Sequence, residues 1–282
     1  MASDLGSHAE GGNTTASGLG SHAEGGNTTA SDLYSHAEGY QTAASGQRSH
    51  AEGYGTTASG LGSHAEGDNT TAKGNYSHAE GGNTTAKGNY SHAEGGHTAA
   101  SDWYSHAEGN STKAIGRASH AEGNDTTASG VNSHAEGSGT TASDLQSHAE
   151  GSGTIASGIN SHAEGAGTKA SGHNSHAGGF YSEAKNDVSF AHGFHVQTPT
   201  SDNPDISELL KGSMAIGRYN LPSKNNIGFL FSIGNGQSDG NRSNAFAVDV
   251  SGNAYAVSNQ LQSADYAEYF LWVDGNPTQE LR

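Results

Sequence analysis

The tetrapeptide Ser-His-Ala-Glu begins at Ser7 and returns every fourteen residues without a slip, at Ser21, Ser35, Ser49 and onward to Ser161. Ser175 opens one further copy, in which Gly178 stands in the place of Glu. Self-similarity at a short fixed period marks a solenoid, because one repeat cannot bury its own face whereas stacked repeats bury one another. Within each fourteen lies a half-period of seven. Ser7-His8-Ala9-Glu10-Gly11 parallels Thr14-Thr15-Ala16-Ser17-Gly18, so the unit is [Ser/Thr]-x-Ala-x-Gly-x-x. A helix would not tolerate one or two glycines in every seven residues, at a cost of about 1 kcal/mol each against alanine.

Period-two alternation fits short strands instead. Ser7 and Ala9 then face one side, His8 and Glu10 the other, and Gly11 opens a turn. One coil reads as strand, turn, strand, turn. The Ser/Thr-and-Ala side is small in every copy, which predicts a thin interior whose hydroxyls satisfy turn backbone groups. The turn positions drift freely, through Leu19-Gly20, Gln47-Arg48, Asn75-Tyr76 and Trp103-Tyr104, as surface does. Thirteen coils at the strand spacing give a rod of roughly 60 Å.

Composition alone points the other way. Leu, Ile, Val and Phe number 33 of 282 residues, glycine 43, and the formal charge is -17, a balance that ordinarily means disorder. Periodicity overrides it, since strands can pair along the whole length of a coil stack. So poor an apolar interior predicts obligate self-association. There is no cysteine, which removes disulfides and thiolate metal sites. No stretch approaches the roughly 18 apolar residues of a membrane span, and no secretory signal opens the chain. The acidic excess argues against nucleic-acid binding through phosphates.

The alternating His and Glu form the candidate site. The rank comprises His8 and Glu10, His22 and Glu24, His36 and Glu38, His50 and Glu52, His64 and Glu66, and His78 and Glu80. It continues through His92 and Glu94, His106 and Glu108, His120 and Glu122, His134 and Glu136, His148 and Glu150, and His162 and Glu164. These residues hold while the turns drift, so something constrains them. One reading is a metal ladder, imidazole and carboxylate together suiting zinc, with ligands completed by neighbouring coils or chains. An acid–base pair is the catalytic reading, but thirteen identical sites with no nucleophile and no pocket are not how enzymes are arranged. The leading reading is structural. Glu stacked on Glu is repulsive, so each carboxylate needs a donor, and His on an adjacent chain supplies one: an inter-subunit ladder in a homotrimer whose stability depends on pH. An outward rank with no single role is the remaining alternative. A second unbroken rank, Thr14, Thr28, Thr42 and onward to Thr168, has the regularity of an ice-binding solenoid, but it shares the inward side with Ala. No cofactor is expected. The turn aromatics Tyr34, Tyr40, Tyr54, Tyr76, Tyr90, Trp103 and Tyr104 are candidates for stacking on a host cell-surface glycan.

The fourteen-residue [Ser/Thr]-x-Ala-x-Gly repeat resembles the head repeats of trimeric autotransporter adhesins, over Met1 to about Gly193 and again at Ser213-Met214-Ala215-Ile216-Gly217. That resemblance implies a trimeric, left-handed parallel β-roll. The expected fold is therefore all-β: a parallel β-roll or β-solenoid of fourteen-residue coils, an obligate trimer, with a C-terminal β-rich module.

Beyond the array, Ser189-Phe190-Ala191-His192-Gly193 keeps the register with Phe and His in the alternating places. Residues 197–205 read as a loop. "IGFLFSI" from Ile227 reads as a buried strand, and "AFAVDV" and "AYAV" around Ser251-Gly252-Asn253 as a hairpin. The expected division is 1–178 for the shaft, 179–212 for an irregular continuation, 213–262 for the β-rich module and 263–282 for a further segment. In that last segment Ser263-Ala264-Asp265-Tyr266-Ala267-Glu268-Tyr269-Phe270 and Trp272-Val273-Asp274-Gly275-Asn276-Pro277 resemble the start of a self-cleaving intramolecular chaperone domain. Such domains occur in bacteriophage neck appendages and tailspikes and are classed with glutamic peptidases. The resemblance implies trimer assembly followed by cleavage near Ser263 and Ala264, with Asp265 and Glu268 carried over as its acidic pair. Only the opening of such a domain precedes Arg282, so the segment is expected to be inert and the chain not an enzyme. Together these readings point to the shaft and host-attachment segment of a phage tail appendage, in a virion. A bacterial cell-surface adhesin head is the rival.

Overall fold

The computed structural model describes residues 1–200, 204–224 and 227–256. Across them the chain winds as an all-β parallel solenoid of about 16 turns. Each coil of the array carries a five-residue strand, from His8–Gly12 and His22–Gly26 onward, and a two-residue strand, from Thr15–Ala16 and Thr29–Ala30 onward. The coil at His162–Ala163 keeps only two residues of the longer strand. Long strands stack on long, short on short, and every pairing is parallel with a shift of one repeat: His8 on His22, Ala9 on Ala23, Glu10 on Glu24. The turns join the ladder too, with the Asn27 amide donating to the Gly12 carbonyl at 2.8 Å and the Tyr34 amide to that of Leu19 at 2.9 Å.

The alternation falls as its period requires. The alanines at the third position of each seven-residue unit, from Ala16 to Ala215, are fully buried, and the Ser and Thr ranks from Ser21 and Thr28 are almost equally so. Each regular coil thus encloses two methyl groups and two hydroxyl residues, and nothing larger. The two hydroxyl ranks differ. Serines close the turns, as where Ser91 Oγ donates to the Gly88 carbonyl at 2.6 Å and Ser21 Oγ accepts from the Gly18 amide at 3.1 Å. Most threonine hydroxyls, Thr98 and Thr112 among them, are buried without a hydrogen-bond partner, and Thr84 is an exception, reaching the Glu80 carbonyl at 3.2 Å. The expectation for the serines holds, and for most of the threonines it does not.

Gly11 does not open a turn. The strand runs through it to Gly12, and the chain reverses at Asn13, where φ is 59°. Gly11 has φ 105°, and a Cβ on it would stand 2.0 Å from the Gly25 carbonyl oxygen. The same holds coil after coil, so this glycine column is required by a mid-strand kink that brings backbones together.

Phe190–Phe194, Met214–Arg218 and Ile227–Asn235 stack in parallel on the end of the long-strand sheet, with Gly193 on Gly217 and Gly217 on Gly234. The sheet then turns antiparallel through Asn244–Asp249 and Ala254–Ala256, the expected hairpin. Among the described residues, larger apolar side chains enter the interior only here, with Val196 and Leu210 fully buried and Phe229 nearly so. Pro204–Leu209 forms a short helix where composition pointed in part to loop. Asn220 and Asn244 act as surrogate backbone. Asn220 accepts from the Gln197 amide at 2.7 Å and donates to its carbonyl at 2.8 Å, and Asn244 does the same for Leu221, 2.8 Å each way. The buried Asp249 organises the hairpin turn by accepting from the amides of Ser251 and Asn253, the Asn253 side chain and the Tyr255 hydroxyl. The Asn253 side-chain hydrogen bond leads the contacts that hold this carboxyl down at about 2.

Candidate functional site

Because side chains alternate along each long strand, His and Glu emerge together on the outside, opposite the buried alanines. Stacked in register, they make two parallel columns on one face. From His8 to His162 the imidazoles lie face to face, centroids 4.7–5.0 Å apart and planes within about 25°. From His22 to His134 each ring nitrogen Nε2 approaches the carboxylate of its own coil at 3.6–4.0 Å, from His22 with Glu24 to His134 with Glu136. That is proximity without a hydrogen bond, and these Nε2 atoms are covered without a partner. The carboxylates are about half exposed and the rings about a third.

The electrostatics follow from the stacking. Burial, and then the neighbouring imidazoles, lower the pKa of His50, His78, His106, His120 and His148 despite nearby carboxylates that oppose the shift. A column of rings packed this closely resists becoming a column of cations.

The pattern changes toward the end. His162 Nε2 turns to the carboxylate of the preceding coil, Glu150, at 3.3 Å, and His176 likewise to Glu164 at 3.2 Å. At Glu150 burial raises the pKa, but the His162 hydrogen bond and the adjacent imidazoles outweigh it and hold the group below its ordinary value. His162 and His176 meet edge to face at 67°, ending the parallel stack. Phe190 then takes the histidine column and His192 the glutamate column, pairing with His176 and Gly178. Glu164, His176 and His192 come together there.

The twelve His–Glu pairs from His8 and Glu10 to His162 and Glu164 therefore share one face of one chain. His176 and His192 belong with them and are missed by reading the repeat alone. The signal is present in the loss of Glu at Gly178 and the in-register Phe190 and His192. Ser263, Ala264, Asp265 and Glu268 lie outside the described residues. The threonine rank is interior, from Thr28 onward at 0–1% exposure, so it presents no ice-binding face. The aromatics at Tyr34, Tyr40, Tyr54, Tyr76, Tyr90, Trp103 and Tyr104 are all about half exposed. Tyr76, Tyr90 and Tyr104 stack in a column at 5.2–5.3 Å, with Trp103 edge-on to the last.

Residues 37–91 and 107–143 match the YadA head domain repeat in overlapping two-copy segments: 37–63, 51–77, 65–91, 107–133 and 121–143. Over those residues the repeat of this chain is thus similar to that of YadA heads. No curated protein matches the chain.

Proposed function

We propose that the chain is a rigid attachment rod that works as a homotrimer, with the His–Glu face turned toward the neighbouring chains. The observation that carries this reading is the interior of the coil. Two alanine methyls and two hydroxyl residues bury too little apolar surface to offset the ordering of fourteen residues, so lateral packing must supply the rest. The His–Glu face is the regular surface available for it. Its half-exposed carboxylates suit donors supplied across a chain boundary.

The likeness to YadA head repeats supports an adhesin-type head in which the rod displays a surface rather than performs a reaction. The resemblance at 263–277 favours placing that rod in a phage tail appendage, while the repeat match serves a bacterial surface adhesin equally well. In either setting the exposed turn aromatics are the candidate glycan contacts. Tyr76, Tyr90 and Tyr104 cover one another's faces, so the Trp103 indole, edge-on to its neighbour, is the ring best placed to stack on a sugar.

Light scattering at pH 7.5 and pH 5 tests the assembly. The expected mass at neutral pH is three times the 28.6 kDa of one chain, and a folded monomer would sink the trimeric reading. Trp103→Ala tests the attachment half: host-cell binding unchanged by that substitution removes the indole from the proposal.

A further inference from the structure

The regular part of the His–Glu face is poorly built for metal. A ring nitrogen donates its lone pair in the plane of the imidazole. Two rings stacked parallel at 4.8 Å therefore aim their lone pairs side by side, and the directions never converge on one ion. Candidate triads such as His36, Glu38 and His50, or His120, Glu122 and His134, draw both nitrogens from such parallel pairs. Two others, built on His148 and His162, contain a single nitrogen.

One place escapes this geometry. In the glutamate column Glu164, Gly178 and His192 follow one another, so Glu164 and His192 sit two strand spacings apart, about 9.6 Å along the stack. They meet because nothing fills the level between them. A Cβ on Gly178 would stand 2.4 Å from His192 Nδ1 and 2.9 Å from Glu164 Oε1. Every other coil of the array carries a Glu at that level. In the histidine column His176 has left the parallel stack and directs Nε2 at Glu164 Oε1, 3.2 Å away. His192 Nδ1 lies 3.9 Å from the same oxygen, and its plane is tilted 36° from that of His176. Phe190 covers the outer face of the His176 ring at 5.0 Å.

We propose that Glu164, His176 and His192 form a divalent transition-metal site of the zinc class, created by the substitution of glycine for glutamate at Gly178. The three donor atoms lie within 4.8 Å of one another. A tetrahedral zinc with bonds of about 2.0–2.1 Å places its ligands about 3.4 Å apart, so the 3.2 Å pair already fits. The 3.9 Å pair, and the two ring nitrogens, which lie within 4.8 Å of each other, must close to that spacing by rotation of the half-exposed His192 ring. Two imidazoles and one carboxylate are a zinc-type donor set, and the fourth position is left to water. All three donors come from one chain, although they lie on the face that the proposed trimer turns toward its neighbours.

Titration of the full chain with Co2+, read by its visible ligand-field absorption, and with Zn2+ by calorimetry tests the proposal. One equivalent per chain is expected, with affinity lowered at least tenfold by Gly178→Glu and by His192→Ala. His92→Gln, in the regular stack, leaves it unchanged. Gly178→Glu restores the consensus repeat, and circular dichroism with a denaturation midpoint verifies that each variant is folded. Absence of saturable binding overturns the proposal. So does binding that survives Gly178→Glu in a folded protein, or that is lost equally in His92→Gln.

Discussion

Acidification should loosen the rod, and the histidine column fixes the sign and an upper bound. His78 stacks between His64 and His92 and faces Glu66 and Glu80; burial first, and then the two imidazoles, lower its pKa against the pull of the carboxylates. His50, His106, His120 and His148 behave alike. An imidazole whose folded pKa lies below its unfolded value near 6.5 adds full stability above that value. As pH falls below about 6.5 the unfolded chain takes up protons that the folded chain refuses, and the stability drains away. Each refused proton is worth about 1.4 kcal/mol per pH unit, so five set a ceiling of about 7 kcal/mol per pH unit. In the single chain more than a third of the His50, His78, His106 and His120 side chains is exposed, 36% for His50 and 38% for His106, so water screens the repulsion. Half the ceiling or less, about 3 kcal/mol per pH unit, is the expected slope between pH 6.5 and 5.5. Urea denaturation followed by circular dichroism at fixed ionic strength measures it. A variant carrying His50→Gln, His78→Gln, His106→Gln, His120→Gln and His148→Gln should lose most of the slope. Stability that rises on acidification would refute the reasoning and mean that the column is charged in the folded rod, and a slope untouched in the variant would refute it by placing the pH dependence on other groups.

Three further outcomes follow from the coil itself. Gly95→Ala, with φ 105° and a Cβ 2.1 Å from the Gly109 carbonyl oxygen, should cost about 3 kcal/mol or more, while Gly82→Ala, where a Cβ meets nothing within 4 Å, should stay within about 0.5 kcal/mol; denaturation midpoints compare them. The two hydroxyl ranks should respond with opposite signs: Ser91→Ala breaks a 2.6 Å bond to the Gly88 carbonyl and should cost about 1 kcal/mol, whereas Thr98→Val removes a buried unpartnered hydroxyl and should gain about 1 kcal/mol. Asp249→Ala frees the amides of Ser251 and Asn253 and should speed local hydrogen exchange in the hairpin of Asn244–Asp249 and Ala254–Ala256, leaving protection in the array unchanged.

What can be read from the sequence, and what cannot, divides along the same physical line. Alternation with period two decides which side of a strand a residue occupies, so the buried Ala, Ser and Thr ranks and the outer His–Glu face are legible from residue spacing alone. Periodicity says nothing of φ, and Gly11 looks like a turn residue when it marks a kink inside a strand. Nor does it say how a hydroxyl is satisfied: Ser91 lies three residues from a turn carbonyl, while the Thr98 hydroxyl finds no partner, although both fit one consensus. The surrogate-backbone asparagines Asn220 and Asn244 are illegible for a related reason, since their partners lie 23 residues away and outside any repeat. The candidate site shows the limit most clearly. A repeat directs attention to what is constant, and here the constant part stacks its rings in parallel, which keeps their lone pairs apart. Converging ligands require the stack to fail, and it fails at His176, in the same coil as Gly178, where the sequence departs from the consensus. In a chain built from identical coils, chemistry that needs three different directions at one point can arise only where the repeat is broken.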